Sequence, residues 1–301
     1  MPGPLEPPPS VVRAAVAAAL AEDLTPLGDL TSALLPPALR ASASFVARRD
    51  GVVAGVPCAS EAFAAVDPAV VVAWRVADGD EVGPGDVLGV VDGPLASILT
   101  AERTALNFLG HLSGIATLTR AFVDRAAAAG PARIWDTRKT TPGLRTLEKA
   151  AVRAGGGANH RGNLSDWILL KDNHLALLGI DAAVADARRR WPARTVHVEC
   201  DTIDQVEQAL RAGADALLLD NMAPDEVRAC VARADAQVAE RGGRRPLLEV
   251  SGGITLDTVA SYAGTGVDMI SVGAITNSAP VLDIGLDIEP SEPDGDAPAV
   301  S

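Results

Sequence analysis

Six short apolar runs in the second half of the chain, each leading at once into polar residues, restrict the fold more than any other feature of this sequence. They are Ala132 to Trp135, Trp167 to Leu170, Thr195 to Val198, Ala216 to Leu219, Leu247 to Val250 and Met269 to Val272. Helical windows separate them. Strands alternating with helices imply βαβ units and a parallel sheet buried on both faces. Six such strands closing around a core predict a parallel α/β barrel, TIM-like but two strands short.

The polar residues at the end of each run carry the chemistry. The runs lead into Asp136-Thr137-Arg138-Lys139, Lys171-Asp172-Asn173-His174, Glu199-Cys200-Asp201 and Asp220-Asn221. The last two give Glu249 with Ser251-Gly252-Gly253, and Ser271-Val272-Gly273-Ala274. The carboxyl ends of parallel barrel strands converge on one face, where barrel enzymes place their active sites. Any one of these polar groups could be a helix cap. Together they predict a site.

The distribution of rare residues points to the same place. Lysine, histidine and asparagine together number 13, and eight of them fall between 139 and 174, where fewer than two would fall by chance. All three lysines (Lys139, Lys149, Lys171) lie in that window, in a chain that otherwise uses arginine for its cations. A compact ammonium and a guanidinium are not interchangeable next to an anion. Between 133 and 171, eight basic residues face only Asp136, Glu148 and Asp166, although the net charge is −13. A positive pocket in a negative molecule predicts a small polyanionic ligand.

The two glycine turns, Ser251-Gly252-Gly253 and Val272-Gly273-Ala274, predict a phosphate site, because glycine lets backbone N–H groups approach an anion closely. Glu199 and Asp220, at the ends of their strands, suit ribose hydroxyls or a Mg²⁺ ion, which binds through one or two carboxylates.

The first half reads differently. Residues 11 to 22 form an alanine-rich amphipathic helix. From Ala43 to Gly93, β-branched runs (51 to 56, 70 to 76, 87 to 91) alternate with Asp-Gly and Pro-Gly turns, which predicts a small antiparallel sheet. The stretch from Val76 to Leu88 is similar to a biotinyl or lipoyl carrier, but no lysine precedes residue 139 to hold a prosthetic group. That sheet is therefore expected to be structural. A disordered tail is expected over 291–301.

The acidic balance excludes nucleic acid as a general partner, since phosphate backbones need a basic surface. No signal peptide or membrane span is visible, and a cytoplasmic protein is expected. Three scattered cysteines predict reduced thiols rather than a disulfide framework or metal cluster.

Several runs carry a resemblance. Gly28-Asp29-Leu30-Thr31-Ser32, ERTALNFLGHLSGIAT from Glu102, DTRKTTPGLRTLEKAAVRAGGGANHRGNLSDWILLKDNH from Asp136, Val198-Glu199-Cys200, Leu219-Asp220-Asn221 and SGGI from Ser251 resemble the quinolinate phosphoribosyltransferase family (nicotinate-nucleotide pyrophosphorylase, carboxylating) over nearly the whole chain. The departures are small: Ala150 stands where an aromatic is common, and Asn277 where histidine is common.

The resemblance implies an α/β sandwich over residues 1–115, joined by 277–290, and a barrel over 116–276. It implies quinolinate and 5-phosphoribosyl 1-pyrophosphate as substrates, Mg²⁺ as cofactor, and a homodimer in which Arg103 reaches the neighbour's site. It also implies that Thr137, Arg138, His160, Arg161, Lys171 and the partner's Arg103 hold the pyridine dicarboxylate. Lys139 would lie between dicarboxylate and pyrophosphate, while Glu199 and Asp220 would serve the ribose, directly or through the metal. Rival readings are a related transferase acting on another base, a Schiff-base aldolase using Lys171, and a non-catalytic barrel. The charge count favours the dicarboxylate.

Overall fold

The computed structural model of the chain describes residues 6–290, of which 241, 289 and 290 are described by their backbone alone. The tail expected from 291 lies outside the described residues. Two compact units divide the described residues: the first contains residues 6–118, 142–155 and 279–290, and the second contains 119–141 and 156–278.

The first unit opens with helix α1 (Pro9–Leu24), which starts on a proline pair that cannot donate the first-turn hydrogen bonds anyway. Strands β1 (Arg40–Ala47) and β2 (Gly51–Val52) come next, then α2 (Val56–Val66). After them come β3 (Val71–Trp74), β4 (Glu81–Val82), β5 (Val87–Pro94) and the long helix α3 (Leu95–Ala127). The expected strand at 51 to 56 stops early. Gly55, at φ 100°, turns the chain, and Val56 starts α2.

In β1, buried Ala41, Ala43 and Phe45 alternate with half-buried Ser42 and Ser44, the period of a sheet with one buried face. Phe45 stacks on Trp74 of β3 at 4.9 Å and meets Phe63 of α2 edge-on at 5.9 Å. That places α2 on the sheet.

The antiparallel sheet has a fourth member from the far end of the chain, β12 (Ile284–Pro290), and its order is β12-β1-β5-β3. The return segment lies directly on α3, where Leu282 N–H donates to the Gly110 carbonyl at 3.0 Å. A Cβ at Gly114 would sit 2.0 Å from the Pro280 carbonyl oxygen. Only glycine admits backbone that close. Helix α4 (Arg145–Ala154) belongs to this unit, and its fully buried Glu148 meets His111 Nε2 of α3 at 2.9 Å.

The second unit holds β6 (Arg133–Trp135), β7 (Ile168–Leu170), β8 (Val196–Cys200), β9 (Ala216–Asp220), β10 (Leu247–Ser251) and β11 (Met269–Ser271). All pairings are parallel, in the order β6-β11-β10-β9-β8-β7, with Trp135 also bridging Ala158. These are the six predicted strands. Between and after them lie α5 (Asp172–Leu178), α6 (Ile180–Arg190), α7 (Ile203–Ala212), α8 (Pro224–Arg241), α9 (Val259–Ala263) and α10 (Ala274–Asn277).

At the amino-terminal ends of the strands, two aspartates act as pegs. Asp215 accepts from Val196 N–H, and Asp268 from Leu248 N–H, both at 2.8 Å. Arg188 and Arg245 hold those carboxylates in turn. No described helix is long and apolar enough to cross a membrane.

Candidate active site

Side chains alternate across a strand, so residues two apart share a face. On β8 that face carries His197 and Glu199, on β9 Leu218 and Asp220, on β10 Glu249 and Ser251, and on β11 Met269 and Ser271. The register sets Glu199 beside Leu218, Leu218 beside Glu249, and Asp220 beside Ser251.

The carboxyl ends of these strands open into a cavity of about 590 Å³. Its wall contains Thr137, Arg138, Lys139, His160, Arg161, Lys171, Glu199, Asp220 and both glycine turns, Ser251-Gly252-Gly253 and Val272-Gly273-Ala274. Every residue given a role at the site is there except Arg103. That residue lies exposed on α3 in the first unit and does not line the cavity.

The local chain explains the convergence. Asp136, wholly buried at the end of β6, accepts from the His160 backbone N–H at 2.8 Å and from Asn159 Nδ2 at 2.7 Å. One carboxylate thus pins the loop that carries His160 and Arg161. Thr137 Oγ1 accepts the Lys139 N–H at 3.0 Å, and the Lys139 carbonyl accepts from Thr276. These bonds fix the turn that presents Lys139.

Lys171 leaves β7 and its ammonium donates to Glu199 Oε2, an ion pair with one buried and one half-exposed member. Asn221, next after Asp220, has φ 55°, a left-handed backbone that asparagine tolerates, and its Nδ2 donates to the Asp220 carboxylate at 2.6 Å.

The electrostatics are those of an anion receptor with an acidic corner. Burial, and then the Arg138 guanidinium beside it, lower the pKa of Arg161. Arg161 is only 8% exposed yet makes no hydrogen bond among the described residues. No Arg161 nitrogen is both buried and unpartnered, so the guanidinium opens to the cavity, where its donors suit an anion. Burial and the Glu199 charge raise Asp220 above the usual aspartate value.

Glu249 is buried as well. Desolvation pushes its pKa up, but the His160 hydrogen bond and the His197 and His160 charges outweigh it, and the net shift is downward. Backbone N–H groups of Gly252, Gly253 and Gly273 face no acceptor among the described residues, which leaves them available to a phosphate.

Sequence reasoning placed Asp136, Asn221 and Glu249 among the polar strand ends but gave them no role at the site, and it did not single out His197. A signal existed for Glu249, an acid inside the apolar run Leu247-Leu248-Glu249-Val250. Such a residue must find a partner or be excluded from the core. A second cleft, of about 560 Å³, opens at the opposite strand ends. Of its four arginines, Arg188 and Arg245 are committed to Asp215 and Asp268, and Arg194 donates to the Asp166 carbonyl, while barrel sites lie at the other strand ends.

Two family models cover this chain. "Quinolinate phosphoribosyl transferase, C-terminal domain" matches residues 115–287, and "Quinolinate phosphoribosyl transferase, N-terminal domain" matches 29–113. Among curated relatives, the nicotinate-nucleotide pyrophosphorylase [carboxylating] of Mycobacterium leprae (strain TN) is 44% identical over 283 residues, covering 92% of this chain and 96% of the relative. The probable nicotinate-nucleotide pyrophosphorylase [carboxylating] of Bacillus subtilis (strain 168) is 41% identical, covering 87% and 88%. Among solved structures, the nicotinate-nucleotide pyrophosphorylase from Francisella tularensis superposes with a TM-score of 0.88 at 36% identity, covering 94% of this chain and 98% of that one.

Proposed function

This chain belongs to the quinolinate phosphoribosyltransferase family, and from that we infer that its cavity joins quinolinate to 5-phosphoribosyl 1-pyrophosphate. The products are nicotinate mononucleotide, pyrophosphate and carbon dioxide, a step of NAD biosynthesis. The observation that carries the reading is Arg138, Arg161, Lys139, Lys171 and His160 lining one cavity together with two carboxylates and two glycine turns. Two adjacent carboxylates on a pyridine need a dense cationic pocket, whereas a mono-acid base needs fewer cations.

In this reading Arg138, Arg161, His160 and Lys171 hold the dicarboxylate, with Thr137 adding a hydrogen bond. Ser251, Gly252, Gly253, Val272, Gly273 and Ala274 hold the 5-phosphate through backbone N–H groups. Lys139 stands between the dicarboxylate and the departing pyrophosphate. The ring nitrogen forms its bond to C1 of the ribose as the C1–O bond to pyrophosphate breaks. The ribose passes through an oxocarbenium-like state, whose positive charge Glu199 and Asp220 stabilise.

The ring nitrogen is then cationic. The 2-carboxylate leaves as carbon dioxide, its bonding pair stays on the ring carbon beside that charge, and a solvent proton takes the position. The residues need only position and desolvate the leaving carboxylate. No covalent nucleophile is required.

Mg²⁺ belongs to the proposal. Glu199 and Asp220 fit it, because Asp220 is raised partly by the Glu199 charge and a divalent cation relieves that repulsion. When bound, the ion would neutralise charge on the pyrophosphate. A homodimer and a cytoplasmic location are proposed with it, the partner copy supplying its Arg103. Leu27, Leu30 and Leu34 of the first unit, and Leu177 and Leu178 after Lys171, are exposed apolar side chains of the kind a subunit contact covers.

The test incubates the protein with quinolinate, phosphoribosyl pyrophosphate and Mg²⁺ and tracks pyrophosphate release, with nicotinate as the parallel base. Turnover with quinolinate alone, lost in Lys139→Ala, supports the reading. Turnover with nicotinate alone would keep the phosphoribosyl site and remove the dicarboxylate pocket.

A further inference from the structure

Three buried donors meet where β8, β10 and the loop before β7 come together, and the proposed chemistry uses only His160 of them. Glu249, 1% exposed, brings one carboxylate oxygen, Oε2, to two imidazoles. His160 Nε2 lies 3.2 Å from it and His197 Nε2 3.4 Å. All three donor atoms lie within 4.8 Å of one another. The period of the strands puts them there. His197 sits two residues before Glu199 on β8, and Glu249 two residues before Ser251 on β10, so both lie on the face that serves the cavity.

At His197 the contact has the distance of a hydrogen bond without its direction. The Nε2 atom is buried and close to the carboxylate oxygen, yet it has no hydrogen-bond partner. Two ligands of one metal ion stand in that relation, near each other but each aimed at the ion. The spacing agrees. With metal–nitrogen and metal–oxygen bonds of about 2.0–2.2 Å, tetrahedral ligands lie about 3.3–3.6 Å apart. The two separations here, 3.2 and 3.4 Å, are close to that edge length.

The protonation states suit a cation as well. Burial lowers the His197 pKa by more than the Glu249 charge raises it, which favours the neutral ring that metals take. The Glu249 carboxylate stays ionised, its pKa being lowered on balance despite desolvation. A hydrogen bond between the His197 ring and the Leu217 backbone is an outer contact of the kind that orients a ligating imidazole. His160 and Glu249 both line the cavity, which gives an ion a way in and leaves a fourth position for water.

We propose that His160, His197 and Glu249 form a binding site for one divalent cation of the zinc class, separate from the Glu199 and Asp220 pair. The donor types distinguish the two places. Two imidazoles and one carboxylate take Zn²⁺ or a neighbouring transition metal, whereas donors that are all oxygen suit Mg²⁺. On binding, the hydrogen bond between His160 and Glu249 is exchanged for bonds from both to the ion, and its proton is released. The ion ties β8 and β10 to the loop that carries His160 and Arg161. The proposal does not depend on which substrate the cavity takes.

The test strips the untagged full-length protein with a chelator and titrates it with Zn²⁺ against a chromophoric competitor, without substrate. One equivalent per chain is expected, undisturbed by excess Mg²⁺. Glu249→Gln and His197→Phe should each weaken it about a hundredfold or more, since even an outer partner of a ligand is worth about 10–100-fold. Glu199→Gln and Asp220→Asn should leave it unchanged. Should the buried variants fail to fold, the wild type carries the test. X-ray absorption at the zinc edge of the loaded protein should show two imidazoles and an oxygen at about 2.0–2.2 Å. The proposal is overturned if the stripped protein takes up no Zn²⁺, or if binding survives both Glu249→Gln and His197→Phe. Zinc lost in Asp220→Asn, or an edge spectrum without two imidazoles, would overturn it equally.

Discussion

A methyl group on Gly252 would sit 2.1 Å from the side-chain oxygen of Asn221, so one of the glycine turns and the end of β9 are built against each other. The contact is mutual: the Asn221 N–H donates to the Ser251 carbonyl at 3.0 Å, and Asn221 Nδ2 donates to Asp220. Gly252→Ala is therefore expected to move Asn221 and, through it, the Asp220 carboxylate. Gly252 also has φ +95°, where an alanine is strained whatever the space.

Gly253 has φ +60° but nothing within 4 Å of a built Cβ. Gly253→Ala should cost only the left-handed backbone penalty, about 1–2 kcal/mol. Gly252→Ala should exceed it in thermal unfolding and in loss of kcat/KM. Equal losses in the two variants would contradict the contact.

Arg161 gives the second prediction. A guanidinium in the cavity wall with no hydrogen-bonded partner among the described residues is poised for an anion, and lysine cannot reproduce its planar fork. Arg161→Lys should raise KM for quinolinate by about tenfold or more, and Arg161→Ala further still, because truncating one partner of a buried charge pair costs about 2–5 kcal/mol. Isothermal titration with quinolinate separates this from an effect on turnover. Affinity unchanged in Arg161→Lys would mean that this guanidinium does not hold the ligand.

How much of this was legible in the sequence depends on distance along the chain. The six parallel strands were legible because each is a local apolar run with a polar terminus, and Lys139, Lys171, Glu199 and Asp220 were found as those termini. The pairing of β1 with β12 was harder, since a residue near 44 meets one near 287 and no local pattern encodes the partner. Helix α2 hid behind a glycine turn in a β-branched stretch. Glu249 and His197 were overlooked as a pair because each looks like an exception within its own strand, and only the register brings their faces together.

Acid should weaken the first unit through Asp29. Hydrogen bonds from the Ser32 hydroxyl and backbone, with Thr100 and Thr31 adding to them, lower its pKa to about 2 from the ordinary 3.8. A carboxylate depressed on folding contributes stability above its unfolded pKa and loses it as pH falls through the folded one. The contribution should be present above about pH 4 and fade toward pH 2. Asp29 is largely solvated, so salt will screen part of the effect. Denaturant titrations at several pH values should show a shallower acid-side slope for Asp29→Asn than for the wild type, and identical slopes would refute the assignment.

The three thiols should be silent in the native protein. Burial pushes Cys58 and Cys200 up to about 12 and raises Cys230 as well, and all three side chains are buried. Thiolate, not thiol, is the reactive form. A colorimetric disulfide reagent at about pH 8 should label none of them until denaturant is added, when three equivalents appear. Rapid labelling of one thiol without denaturant would show that its surroundings open.

Arg103 supplies the last prediction, because its place on α3 is the one point where the expected site and the cavity of a single chain part company. If a partner copy brings Arg103 to the cavity, two different inactive proteins can share one good site. Arg103→Ala would lose activity with its own cavity wall intact, and Lys139→Ala would lose it with its Arg103 intact. Mixing the two, unfolding them gently and letting subunits exchange should restore activity, since a heterodimer contains one cavity with wild-type Lys139 facing a wild-type Arg103. Sedimentation of the mixture checks that dimers re-formed. Re-formed dimers without recovered turnover would show that each chain completes its own site, and Arg103 would then have to be removed from it.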